Sequence, residues 1–356
     1  MFTFRNIDDF VPLQFEKVGM LKGKRWYAQT KEKKKGLFKP KRYEFKDRKV
    51  FCANHYGEMV GGILGERAKI ETCKSELAHH SHYYSNIYKE RAHATTEEKD
   101  GCIIYSQLSA GDTLEAGKIV IDRFKESNEN RYQSLAKNSI YRGKINDDIE
   151  LILLSVSSRV EKFYKMGGNY LEKYIQSRIY QTKKKFIEMV VYDCLYGNYD
   201  RHEGNWSMHL HSNEEIDIYP LYDNERVLGL YENQNFIEKM LIEKEPEQIM
   251  DKIFFSRMRV PGEKKEFSTY KDMLRYLMYA YPEETQETLK RQLDSNTVQS
   301  TTRCLEQCEG LPDPYIEFGT RMYEYRNRFA RRLLEHNINQ DHVQYFIFPQ
   351  AAGDER

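Results

Sequence analysis

Three absences narrow what this 356-residue chain is. It has no surplus of charge: 56 Lys and Arg stand against 55 Asp and Glu, a formal net charge of +1. That argues against a direct nucleic-acid binder held by bulk electrostatics. It has no apolar run of about 18 residues, so no membrane span is expected. Met1 to Phe10 carries Asp8 and Asp9 without a sustained apolar stretch, so no secretory leader is expected there either. It also has no disulfide framework: Cys52, Cys73, Cys102, Cys194, Cys304 and Cys308 are scattered, several in apolar segments, as reduced thiols of a cytoplasmic protein are. Cys304 and Cys308 share an expected helix face but lack the second pair that a zinc site needs. No internal repeat, Walker A sequence or full G-x-G-x-x-G is present.

The most informative stretch is Tyr199-Asp200-Arg201-His202-Glu203-Gly204-Asn205, followed by Pro220-Leu221-Tyr222-Asp223. Before it, Phe186, Met189, Val190 and Cys194 recur at helical spacing with Lys183, Lys184, Lys185 and Glu188 opposite. The spacing predicts a half-buried helix from about Leu171 to Tyr196, stopped by Gly197. After it, Trp206, Met208 and Leu210 alternate with Ser207, His209 and His211, and Ile216 and Ile218 alternate beyond a polar turn at Ser212 to Glu215, which reads as a hairpin. Residue 214 is midway between Asn205 and Asp223 and lies in that turn, so antiparallel pairing is expected to set the two opposite each other. A carboxylate and a carboxamide are suitable oxygen ligands for Mg²⁺ in company with phosphates. Asp200 precedes Asn205 by the interval seen in kinase catalytic loops, where Asp accepts the substrate hydroxyl proton and Asn holds metal. A polar loop with a capping Asp is the plainer meaning of that interval taken alone.

The order Asp-Arg-His, with Asn three residues after His202, resembles the HipA-like (CtkA-like) bacterial serine/threonine kinases and, more distantly, the phosphatidylinositol kinases. The resemblance implies an α+β, two-lobed protein-kinase-like fold: a β-rich N-lobe over residues 1–108, a helical C-lobe over 109–349 and a tail over 350–356. It implies ATP and Mg²⁺ as cofactors and phosphorylation of a protein substrate, the chain itself included. In this reading Asn205 and Asp223 are the metal ligands and Asp200 is the base. His202 is its rival, because imidazole commonly carries protons near neutral pH. Toxin-type kinases of this kind often act beside a DNA-binding antitoxin-like partner, and this chain shows no helix-turn-helix of its own.

Such a site also needs a cation on the phosphates, carried by a strand and braced by a helix carboxylate. By the same resemblance Lys39, in Phe38-Lys39-Pro40, is that cation. Tyr56, Met59, Val60, Ile63 and Leu64 form a helical stripe, and the resemblance makes Glu58 the brace, with Glu66 as a substitute. Gly57, Gly61, Gly62 and Gly65 in that helix suggest close packing or a mobile element, since each costs up to about 1 kcal/mol relative to Ala. Gly19, Lys22 and Gly23 lie in an expected hairpin turn whose N–H groups fit phosphates, though an ordinary turn explains them equally well. Cys102 to Leu108 reads as a buried strand, and the resemblance places Gln107 and Leu108 beside adenine.

Elsewhere, His79-His80-Ser81-His82 has no evident partner ligands and begins a polar stretch to Asp100. Arg257, Arg259, Lys264 and Lys265 form a basic segment suited either to solvent or to an acidic or phosphorylated partner. After Asp223 the family usually places small residues, whereas this chain has Asn224-Glu225-Arg226, so Glu225 is expected to crowd the metal or to pair with Arg226. Helical spacing resumes from Ser268 to the C-terminus, with only Gln350 to Arg356 reading as a frayed tail. A lipid or small-molecule kinase and an inactive nucleotide-binding regulator are the alternative readings.

Overall fold

The computed structural model describes residues 1–13, 25–29, 34–41, 52–81, 100–138, 146, 148–168, 170–243, 257–261 and 268–337. A six-stranded sheet comes first. Its strands are β1 (Arg5–Asn6), β2 (Phe10–Pro12), β3 (Arg25–Gln29), β4 (Lys35–Pro40), β5 (Ser75–His79) and β6 (Asp100–Tyr105), in the order β1-β5-β6-β4-β3-β2. All neighbours are antiparallel except β1 with β5. β4 and β6 are central, and their alternation of Phe38 and Lys39, Ile103 and Cys102, sends one face into an apolar cluster and leaves the other for the site.

Helix α1 (Asn54–Arg67) crosses the sheet between β4 and β5 and is buried along most of its length. The glycines serve close packing: a β carbon on Gly57 would overlap the Glu225 carbonyl, and one on Gly61 would lie 2.7 Å from Asn224 Cβ. This closeness lets α1 sit directly on the segment that follows Asp223.

The remainder is mainly helical. Strand β7 (Thr113–Ala116) leads into α2 (Gly117–Ser127) and α3 (Glu129–Asn138), then α4 (Ile149–Met166) and the long α5 (Glu172–Tyr196). α5 ends where its composition says it should, with Gly197 in the left-handed region at φ 77° and its N–H donating to the Asp193 carbonyl. Its first half is mostly exposed, with Ile175 and Thr182 buried, whereas from Phe186 to Tyr196 it is enclosed nearly all round, so the expected polar face is reduced to the half-buried Lys183, Lys184, Lys185 and Glu188. Strands β8 (Ser207–Leu210) and β9 (Ile216–Ile218) make the expected hairpin and complete a small sheet with β7. Helices α6 (Gln234–Ile242), Tyr270–Ala280, Pro282–Ser295, Val298–Glu306 and Asp313–Asn337 follow, their spaced apolar residues Met273, Leu277, Leu289, Leu293 and Met322 facing the core.

All six cysteines are buried free thiols, and Cys304 and Cys308 are core residues. His79 pairs with Asp100 and His80 with Asp8, the His80 ring packed against Tyr27 and Phe38; both are accounted for without metal, and His82 lies outside the described residues. No helix among the described residues is long and apolar enough to cross a membrane.

Candidate active site

Lys39 points from β4 toward α1, where its ammonium pairs with Glu58 and with Asp223 at once. The lysine side chain is 4% exposed and that of Glu58 2%. Glu58 is therefore the partner, while Glu66 is exposed near the C-terminal end of α1. The second Glu58 oxygen accepts the Asn224 N–H at 2.9 Å, so one carboxylate fixes both the lysine and the backbone beside Asp223. Burial works against the Lys39 charge, but Asp223 and then Glu58 more than offset it and hold the ammonium well above its usual range.

Glu225 joins this group. Carboxylate oxygens of Glu58, Asp223 and Glu225 all lie within 4.8 Å of one another. Three carboxylates around one ammonium leave an excess of negative charge, and burial together with the Asp223 and Glu225 charges pushes the Glu58 carboxyl upward despite Lys39. Such a set of hard oxygen donors fits a divalent cation such as Mg²⁺. The departure at Glu225 therefore adds a carboxylate to the group, and Arg226 goes elsewhere.

The loop carrying Asp200 is held from within and from below. His202 N–H donates to the Asp200 carbonyl at 2.9 Å, Asn205 N–H to the His202 carbonyl at 2.8 Å, and the Asn205 amide nitrogen to the Asp200 carbonyl at 2.8 Å. Beneath it, Arg201 is fully buried and makes five hydrogen bonds: two to the Asp193 carboxylate, at 2.9 and 3.1 Å, and one each to the Asn205 carbonyl at 2.7 Å, the Tyr222 carbonyl at 2.6 Å and Asn224 Oδ1 at 3.0 Å. One guanidinium thus ties the segment of Asn205 to the segment of Asp223.

This corrects the expected route between them. The hairpin register pairs His209 with Asp217 and Leu210 with Ile216, centring the turn on Asn213 rather than Glu214, and the ladder ends before Pro220. Asn205 and Asp223 are not ladder partners; Arg201 bridges their neighbourhoods. Asp223 itself takes the left-handed conformation at φ 58°, a strained backbone for an Asp that the surrounding bonds maintain.

The Asp200 carboxylate meets two arginines: Arg226 Nε lies 3.0 Å from Oδ2, and Arg257 Nε lies 2.8 Å from Oδ1. His202 Nδ1 accepts the Gly204 N–H at 2.9 Å, which in the neutral ring places the proton on Nε2 and makes that nitrogen a donor. In this geometry His202 shapes the turn.

Among the remaining residues named from the sequence, Gln107 and Leu108 follow β6 on an exposed connection, with the Gln107 N–H donating to Tyr219 Oη at 2.9 Å. Gly19, Lys22 and Gly23 lie outside the described residues, as do Lys264 and Lys265. Sequence reasoning missed Asp193, Arg201 and Arg226. For Asp193 there was a signal: a single acid inside the apolar run Val190-Val191-Tyr192-Asp193-Cys194-Leu195 has to be paired when the helix is buried.

No family model and no curated protein matches the chain. Among solved structures, the Helicobacter pylori proinflammatory kinase CtkA is similar over 95% of this chain and 99% of its own, at 13% identity and a TM-score of 0.69. HipA of Shewanella oneidensis MR-1, solved with HipB and its operator DNA, is similar over 88% of this chain and 65% of its own, at 11% identity and a TM-score of 0.49. A sheet followed by a mainly helical part, matched from end to end, gives this chain the two-lobed α+β protein-kinase-like fold of CtkA.

Proposed function

We propose that the chain is an ATP-dependent serine/threonine protein kinase, with residues 1–108 as the nucleotide-holding lobe and 109–349 as the lobe that presents the acceptor. The observation that carries this is the Lys39 ammonium bound to both Glu58 and Asp223, on a segment tied through Arg201 to the loop of Asp200 and Asn205. A buried lysine shared between a helix carboxylate and a second acid is preorganised for triphosphate oxygens. Asn205 and Asp223, with Glu225 alongside, would hold Mg²⁺, which supplies charge neutralisation at the phosphate oxygens. Lys39, steered by Glu58, orients the phosphates; Gln107 and Leu108 border the base; Asp200 aligns the acceptor hydroxyl and takes its proton. Little covalent work falls to the protein, so positioning and electrostatics supply most of the rate.

The test is transfer of labelled γ-phosphate from ATP to the chain itself and to a general protein acceptor. Asp200→Ala and Asp223→Ala are each expected to lower transfer by about a hundredfold or more. Undiminished transfer by Asp223→Ala would show the metal assignment wrong. ATP binding without any transfer by the native chain would make it a nucleotide-binding regulator, and transfer to inositol lipid in preference to protein would make it a lipid kinase.

A further inference from the structure

Two guanidinium groups on one carboxylate are more than charge balance requires, and the two arginines are held very differently. Arg226 is packed in place: its side chain is 16% exposed, its guanidinium lies 4.6 Å from the Tyr199 ring centre and 4.1 Å from that of Tyr231, and Nη1 donates to Tyr199 Oη at 2.6 Å. Arg257 is 51% exposed. The chain just beyond it is anchored, with Met258 and Arg259 buried, the Arg259 carbonyl accepting the Ile149 N–H at 3.0 Å and the Val260 N–H donating to Ser268 Oγ at 2.8 Å. Arg257 is thus a half-exposed side chain on a fixed base, reaching over to a carboxylate.

Both Asp200 oxygens face guanidinium groups: Arg226 is hydrogen-bonded to Oδ2, whereas Arg257 stands over Oδ1 as a charge contact without a hydrogen bond, so an acceptor hydroxyl approaching Oδ1 meets Arg257 first. One arginine has to leave, and the exposed one is free to do so. A guanidinium taken off a carboxylate needs another anion to offset the lost pair, and its planar fork suits a carboxylate or a phosphate. The anion has to arrive with the acceptor, because Arg257 stands at the carboxylate that meets the acceptor, while Lys39, Glu58 and Asp223 form the nucleotide side.

We propose that Arg257 is a latch on Asp200, released by an acidic group on the acceptor polypeptide, so that the enzyme selects serines or threonines flanked by a carboxylate or by a phosphorylated residue. The inference rests on the kinase reading and deepens it. Binding of the acidic flank and exposure of the Asp200 oxygen are one event. The acidic residue therefore improves turnover as well as affinity. A neutral acceptor meets a carboxylate that is still covered.

The test uses the full chain and three acceptor peptides that differ only beside the hydroxyl residue: a neutral flank, a glutamate flank and a phosphoserine flank. The native chain is expected to favour the acidic peptides by about tenfold or more in kcat/KM, as a charge-assisted pair would give; the glutamate and phosphoserine arms distinguish the two sources of the anion. Arg257→Ala is expected to raise kcat/KM on the neutral peptide and to abolish the acidic preference, with ATP affinity and melting temperature unchanged. Arg257→Glu is expected to shift preference toward a lysine-flanked peptide, a reversal that a merely structural role would not produce. Peptide affinity measured by fluorescence anisotropy without ATP should follow the same order. Equal use of all three peptides by the native chain, retention of the acidic preference by Arg257→Ala, or a tenfold loss of ATP affinity in that variant overturns the latch and leaves the kinase reading intact. Failure of the native chain to phosphorylate any acceptor overturns both.

Discussion

Asp193→Asn is the sharpest test of how the site is built. The Asp193 carboxylate receives Arg201 Nε at 2.9 Å and Nη2 at 3.1 Å, and both side chains are almost entirely enclosed. Burial works against the Arg201 charge and Asp193 more than offsets it, while burial pushes the Asp193 carboxyl up despite Arg201, so each charge depends on the other. Asparagine preserves shape and one acceptor oxygen but removes the compensating charge, leaving a buried cation with neutral partners. Breaking a buried pair in this way costs about 3–5 kcal/mol, and the conservative change puts the expectation at the low end, about 3 kcal/mol. With an unfolding entropy of about 2.1 cal/mol/K per residue, a 356-residue chain shifts by about 1.3 °C per kcal/mol, so the melting temperature should fall by about 4 °C in differential scanning fluorimetry or calorimetry. Because the same guanidinium holds the carbonyls of Asn205 and Tyr222, phosphotransfer should fall by at least about tenfold even well below the melting transition. A variant that melts within about 2 °C of the native protein and transfers phosphate at the native rate would refute the claim that this buried pair supports the site.

Gly57→Ala should destabilise the chain by about 1–3 kcal/mol, read as a lower denaturant midpoint, because the added methyl overlaps the Glu225 backbone, whose displacement costs more than turning a flexible side chain aside. An unchanged midpoint would mean that α1 does not sit as tightly on the Asp223 segment as described. Asp148→Asn tests electrostatics at the start of α4. There Asp148 accepts the Glu150 and Leu151 N–H groups, yet burial pushes its carboxyl up from 3.8 to about 6. A folded-state value above the unfolded one means that this contribution is fully present below pH 3.8 and is lost as pH rises through about 6. Asparagine caps a helix about as well without a charge. The variant should therefore melt higher than the native chain at pH 8, with the advantage fading toward pH 4; a constant difference across that range would count against the shift.

Local residue chemistry made several elements legible. A glycine after an apolar-periodic run ends α5 because only a residue without a side chain enters the left-handed turn cheaply, and Gly197 does so. The alternation on either side of Ser212 to Glu215 makes a hairpin, because period two can bury only one face of a strand. Glu58, singled out by the family resemblance and not by the apolar stripe of α1, is buried, whereas Glu66 is exposed. What periodicity could not supply was the distance between segments. The register centres on Asn213 because the turn closes with His211 N–H donating to the Glu215 carbonyl and with Glu214 in the left-handed region at φ 64°.

Composition and spacing thus determined which residue types were present for phosphate and cation chemistry, and in what order along the chain. Tertiary structure alone decided which of them meet. The convergence of Lys39, Glu58, Asp223 and Glu225, the bridging by Arg201 over Asp193, and the covering of Asp200 by Arg226 and Arg257 join segments up to 184 residues apart. The physical reason is that a buried charge selects its partner by where packing leaves an opposite charge within reach. Separation along the chain carries no information about that, so Arg226 and Arg257, both visible in the sequence but expected to meet other partners, could be assigned to Asp200 only once the fold brought them to it.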